Sequence, residues 1–247
     1  MPAEQTVLLV GGTGRTGRRV LEQLLERGVR VRAIVRSASR LPEGIADDPR
    51  LTIVGADLLS LGDEDLVADV RGCDAVISCL GHIISLKGVL GPPHDLVTRA
   101  TARLCRAIQD LHPNTPVKYI LMSSVSVNHP GAPEARRGTP EKVLLWVLRG
   151  LVPPSRDNQR AADFLHTEVG SSNPFVQWVA VRPDTLLEGD ASAYSLHENV
   201  VSSLFRPDRT NMANVANFMC DLVTDARKWD RWAGRLPVIV NGSSPNG

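Results

Sequence analysis

The chain has 247 residues, 43% hydrophobic and 22% charged, with a net charge of +1. That length allows one large α/β domain with a sizeable core, and the composition is that of a soluble globular protein. Near-neutral charge, with basic residues scattered and not interleaved with aromatics, argues against nucleic acid or a membrane as the main partner. The four cysteines, Cys73, Cys79, Cys105 and Cys220, form no CxxC pair and no His/Cys cluster. No metal is therefore indicated, and a reducing compartment fits. With no signal peptide and no apolar run of about 18 residues, a cytoplasmic protein is expected.

The first predicted strand is Thr6-Val7-Leu8-Leu9-Val10. It runs into the loop Gly11-Gly12-Thr13-Gly14-Arg15-Thr16-Gly17, and a helix follows with apolar residues at 20, 21, 24 and 25. Gly28 ends that helix, and residues 29–35 alternate as a second strand. A glycine loop between a strand and a helix is the setting in which a phosphate is held by backbone N–H groups and the positive end of the helix dipole. Gly11 and Gly14 would allow close approach, and Gly17 would let the helix pack on the strand. The spacing is Gly-x-x-Gly-x-x-Gly, and no Gly-Lys-[Ser/Thr] follows, so it is not a Walker loop.

The end of the second strand reads on the choice of nucleotide. An acid there would meet a ribose 2′-hydroxyl. Arg36 stands in its place and no acid comes before Glu43, which points to a 2′-phosphate and hence NADP(H). Arg15 is a further candidate. Arg40 reads better as an ordinary solvated charge.

Further strands are expected at 51–54, 74–79, 117–122, 175–181 and 236–240, with helices at 62–70, 94–110, 156–169 and 211–222. The connections are long enough for helical crossovers, so the sheet should be parallel. Asp57 lies at a strand's C-terminal end, as a polar contact to adenine or as a turn aspartate. Gly81 follows the fourth strand and would let the backbone pass close to a cofactor. His82 comes next and His129 lies beyond the fifth strand; both are weak candidates for proton delivery. Residues 128–157 break the alternation with an inserted apolar helix at 143–148, a lid, a pocket wall, a subunit contact or simple core. Ser155 would cap the helix at 156–169. Residues 184–210 read as irregular and could cover the cofactor, within a C-terminal part, 184–235, that faces substrate or partner. No linker marks a second domain, so residues 1–247 are expected to form one.

Several motifs occur in a telling order: the glycine loop, Arg36, Gly55-Ala56-Asp57-Leu58, Ser78-Cys79-Leu80-Gly81, Ser123-Ser124, Val181-Arg182-Pro183 and Asn214-Val215-Ala216. Together they resemble the atypical branch of the short-chain dehydrogenase/reductase superfamily, in its NAD(P)H-binding group with the NmrA-like and biliverdin/flavin reductase B types. The resemblance implies a doubly wound Rossmann-type sheet of about seven mostly parallel strands with bound NADP(H). It implies a diphosphate on the loop Gly11, Gly12, Thr13, Gly14, Arg15, Thr16 and Gly17. Arg15 and Arg36 would meet the 2′-phosphate, Asp57 and Leu58 the adenine, Leu80 and Gly81 the ribose, and Arg182 and Pro183 the nicotinamide side.

The chain departs from the superfamily at its Tyr-x-x-x-Lys pair. There a lysine lowers the phenol pKa so that a proton can be exchanged near neutral pH. Here Tyr119 has Ser123 four residues on, Tyr194 has Glu198, and residues 156–169 contain neither Tyr nor Lys. Ser124 is the residue expected beside the nicotinamide, as in the flavin reductase type. Two functions stay open: an NADPH-dependent reductase acting on a conjugated or quinone/flavin-like acceptor, or a non-catalytic NADP-binding sensor. A homodimer or a protein partner would use 143–148.

Overall fold

A computed structural model describes residues 5–81, 94–129, 153–203 and 206–242. The inserted helix expected at 143–148 and His82 lie outside the described residues.

The first unit follows from local sequence. The apolar run Thr6–Val10 forms β1, Arg15–Glu26 forms α1 and Arg30–Val35 forms β2. Then come β3 (Leu51–Gly55), α2 (Asp63–Val70), β4 (Ala75–Ser78), α3 (Leu96–Leu111), β5 (Val117–Met122), α4 (Pro153–Phe164) and β6 (Val176–Pro183). The chain closes with β7 (Thr185–Leu187), β8 (Tyr194–His197), β9 (Arg209–Asn211), α5 (Met212–Thr224), α6 (Ala226–Trp232) and β10 (Val238–Asn241).

Eight strands make the main sheet in the order β3-β2-β1-β4-β5-β6-β10-β8, while β7 and β9 pair separately. All its pairings are parallel except that of β8 with β10. The order reverses between β1 and β4, the switch point at which ligands gather in open α/β sheets. Register brings the strand ends level there, with Val10 opposite both Ile34 and Ser78.

Alternation along β1 divides the core in two. Val7 and Leu9 join α1 and α5 on one face, and Leu8 and Val10 join α2, α3 and α4 on the other. On β2, Val31, Ala33 and Val35 share the first face while Ile34 turns to the second. The four described cysteines are free and buried.

The structure corrects the reading in places. The helix expected at 156–169 begins at Pro153 and leaves α geometry after Phe164, closing in a wider turn over Leu165–Val169. Ser155 therefore lies inside the helix, not at its cap. Residues 184–211 carry three short strands instead of irregular chain, because β7 pairs with β9 and β8 with β10, partners distant in sequence. No described helix is long and apolar enough to cross a membrane.

Candidate functional site: a nucleotide cleft at the switch point

The cleft is formed where β1, β2, β3 and β4 end. Val10, Gly11, Thr13 and Gly14 line it from the glycine loop, and Ile34, Val35, Arg36 and Arg40 from the end of β2. Ala56, Asp57, Leu58 and Leu59 follow β3, and Cys79, Leu80 and Gly81 follow β4. Leu96, the first residue of α3, completes the wall. The cleft encloses about 210 Å³ and opens to solvent.

The glycines have different physical reasons. Gly11 has φ +79°, and a Cβ there would stand 2.6 Å from the backbone carbonyl of Cys79. It lets the loop cross the end of β4. A Cβ on Gly17 would lie 2.1 Å from the carbonyl oxygen of Gly11, so Gly17 closes the helix onto the loop itself and not onto the strand. Gly14 is exposed and N-caps α1, which has no side-chain cap and no acid in its first turn. The open amides and the dipole of α1 are therefore available to an anion. A Cβ at Gly81 would meet open space beside the cleft. An uncapped helix start and an open glycine on the facing wall fit a dinucleotide phosphate with its ribose. Gly12, Thr16 and Gly17 are buried and shape the loop from behind.

Arg36 is exposed on the cleft wall, as expected. Arg40 joins it, against expectation. The short 3-10 turn Ala38–Arg40 puts the second arginine on the same cleft wall as the first, which strand and helix periodicity do not signal. Arg15, by contrast, is not part of the cleft wall. Its Nε and Nη2 donate to Oε1 of Glu188 at 2.9 and 2.8 Å. Asp57 lines the cleft, and its Oδ1 accepts from the Leu59 amide at 2.9 Å, the bond of a turn aspartate.

Arg182 corrects the sequence expectation most clearly. The side chain is 0% exposed. Its guanidinium donates to the carbonyls of Leu236, Val127 and Glu198 at 2.8, 3.0 and 3.0 Å. A buried cation is stable when hydrogen-bonded in this way, and it is then committed to joining three segments of the fold. It does not line the cleft. Pro183 is buried too, and its carbonyl accepts from the Val125 amide.

That last bond places Ser124 against the end of β6. Ser124 is half-buried, and its Oγ accepts from the amide and the hydroxyl of Ser126, both at 3.2 Å. A hydroxyl can accept twice and still donate once. His129 does not reach the cleft. It lines a second hollow with Glu198, Asn199, Trp232, Arg235 and Leu236, and its ring meets His166 edge-on at 5.9 Å.

Neither tyrosine is available. Tyr119 is fully buried and donates to Thr101 Oγ1 at 3.0 Å. Tyr194 donates to Asp221 Oδ2 at 3.2 Å. Burial raises both phenols well above their ordinary value, the reverse of catalytic activation. No cluster of three metal-ligating side chains exists among the described residues.

Two carboxylates escaped the sequence reading. Asp184, 7% exposed, follows β6 and accepts from the Thr185 amide at 2.7 Å, from the Asp208 amide at 3.2 Å and from the Ser202 hydroxyl. It fastens Ser202 and Asp208 to the end of β6. Asp157, 1% exposed on α4, accepts from the amides of Val97 and Thr98 at 2.8 and 2.9 Å and so caps α3 from another helix. No local motif announces either role, since the partners are remote in sequence.

A family model described as NAD(P)H-binding matches residues 11–226. An uncharacterized chloroplastic protein of Arabidopsis thaliana is 44% identical over 124 residues, which are 49% of this chain and 42% of that protein. The chain thus aligns with less than half of that relative. The chloroplast named for it leaves the cytoplasmic expectation resting on sequence alone. Among solved structures, the oxidoreductase ylbE of Lactococcus lactis superposes with a TM-score of 0.69 at 19% identity, covering 97% of this chain and 92% of that one. A short-chain dehydrogenase/reductase of Veillonella parvula in complex with NADP gives 0.68 at 14% identity, covering 97% and 95%. At such identities these two likenesses are of fold.

Proposed function

The chain belongs to the NAD(P)H-binding family, and from that premise we propose that it is an NADPH-dependent reductase of the atypical short-chain type, passing hydride to a conjugated, quinone-like or flavin-like acceptor. The observation that carries the nucleotide preference is the pair Arg36 and Arg40 on one wall, where a ribose-binding acid would otherwise stand. Two guanidiniums suit a 2′-phosphate dianion. Residues 11–17 and the first turn of α1 would hold the diphosphate, Asp57 and Leu58 the adenine, and Leu80 and Gly81 the ribose.

When bound, the nicotinamide supplies a hydride. This chain's own residues must orient the acceptor and leave the proton a source. Both tyrosines are committed elsewhere, so no phenol is at hand to protonate an alkoxide. An acceptor that becomes a delocalised anion on taking hydride needs no such acid, because water can protonate it afterwards. The balance is two electrons and one hydrogen from NADPH, one proton from solvent, and NADP⁺ released. Ser124 would give its hydroxyl proton as a hydrogen bond to the acceptor oxygen and so fix its orientation.

A panel following NADPH absorbance with flavins, quinones and enones tests this. Turnover with at least one class is expected, and none above background across the panel would remove the reductase reading. The second reading, an NmrA-like NADP sensor, is favoured by the same lack of a tyrosine acid. It would act through a protein partner or a second copy at 143–148. NADPH binding without turnover, together with a stoichiometric partner lost in Trp146→Gln, would select it.

A further inference from the structure

The segment after β6 sets one carboxylate among cations at the start of α1. Glu188 lies one residue beyond β7. Its Oε1 takes both the Nε and Nη2 bonds of Arg15, and its Oε2 is paired with Arg19. Arg19 in turn donates to the carbonyl of Arg15 at 2.7 Å. Two guanidiniums on successive turns of α1 therefore grip one carboxylate. The Arg15 hydrogen bond above all holds the Glu188 carboxyl below its ordinary range, so it is ionised at neutral pH.

An exposed ion pair on a loose loop is worth almost nothing. Arg15 and Glu188 are indeed 60% and 52% exposed. This loop, however, is fastened on both sides of Glu188. Before it, Thr185, Leu186 and Leu187 pair with Arg209, Thr210 and Asn211. After it, Gly189 has φ +155°, and a Cβ there would stand 2.9 Å from the Asn211 side-chain Nδ2. Asn211 donates to the Asp190 carbonyl at 3.0 Å, and the Ser192 amide donates to Asn214 at 2.7 Å. The backbone thus delivers the carboxylate to a set place. That place is beside the first two turns of α1, against the Arg15 and Arg19 side chains, and the helix start itself has no side-chain cap.

The geometry points to Glu188 as an internal counter-anion that occupies the Arg15 and Arg19 guanidiniums and competes for them with the cofactor's diphosphate, so that it sets how tightly NADPH and NADH bind and not which of them is chosen. This rests on nucleotide binding at the glycine loop and is independent of turnover. A polyanion entering the turn must either share the two guanidiniums with a fixed negative charge or displace it, and both oppose binding. The 2′-phosphate pair, Arg36 and Arg40, lies instead on the cleft wall at the end of β2, and the cations that act on Glu188 are Arg15 and Arg19.

Glu188→Gln keeps the side chain's size and removes its charge. Dissociation constants for NADPH and NADH are measured by titration for parent and variant. At about 20 mM salt both nucleotides should bind the variant about three- to tenfold tighter, and the gain should shrink at about 500 mM salt, where charges are screened within a few ångströms. In an Arg15→Gln background the same change should gain less, which a merely structural role would not produce. Equal or weaker binding by Glu188→Gln overturns the competition, weaker binding marking the contact as a support for the bound state. No binding by either protein overturns both this inference and the cofactor reading; binding by both without gain overturns this one alone.

Discussion

At the cleft, α1 and α3 begin beside the same hollow but are finished in opposite ways. The first turn of α1 has no side-chain cap and no acid. The first amides of α3 are held by the Asp157 carboxylate, which is 1% exposed and also accepts the Thr98 hydroxyl at 2.6 Å. Both helices carry the same positive pole. One has it neutralised by a built-in anion, and the other has it left open beside a glycine loop. A helix start becomes a ligand site when the fold withholds the cap, and the withheld cap at α1 is what distinguishes the cofactor end of this cleft. Glu188 stands near that end but bonds the Arg15 and Arg19 side chains.

The largest test of this contrast is Gly17→Ala. Its methyl would collide with the Gly11 carbonyl, a backbone atom that cannot swing aside. A loss of about 3 kcal/mol in urea unfolding is expected, with NADPH binding abolished. Parent-like stability would show that the loop does not need this approach. Asp157→Ala should come next. It leaves the buried Val97 amide and the half-buried Thr98 amide without their acceptor, while the Thr98 hydroxyl keeps the Asp157 carbonyl, and it should cost about 2 kcal/mol, with the folded protein keeping its NADPH affinity within about twofold. A large loss of affinity there would mean that the two helix starts are not independent.

Arg36→Ala should weaken NADPH about 10- to 100-fold and leave NADH nearly unchanged, measured by titration with each nucleotide. Arg40→Ala should act in the same direction and less strongly. Equal effects on both nucleotides would take the two arginines out of the 2′-phosphate site. The smallest effect at neutral pH belongs to the thiols. Burial pushes Cys73 up to about 11 and Cys220 to about 12, from an ordinary 9.0. The folded state then holds protons that the unfolded chain releases. Stability from this source is complete below pH 9 and is lost as pH rises through the folded values. A disulfide reagent at pH 8 should leave these thiols nearly untouched until the chain is unfolded; rapid native reaction would refute their burial.

The sequence alone determined the first βαβ unit, the parallel sheet, the glycine loop and the place of Arg36. These depend on neighbours within a few residues: alternation, helical spacing, and glycines where a chain must turn or touch. It placed the open start of α1 without showing that it is open, because a cap can come from anywhere. Asp157 caps α3 from 60 residues away, and Arg15 meets Glu188 across 173 residues. The family resemblance implies a place for Arg182 on the nicotinamide side, yet carbonyls at 127, 198 and 236 claim it. Tertiary structure decided which charges are committed and which are free, since the partner of a charge is fixed by folding and not by its neighbours in the chain.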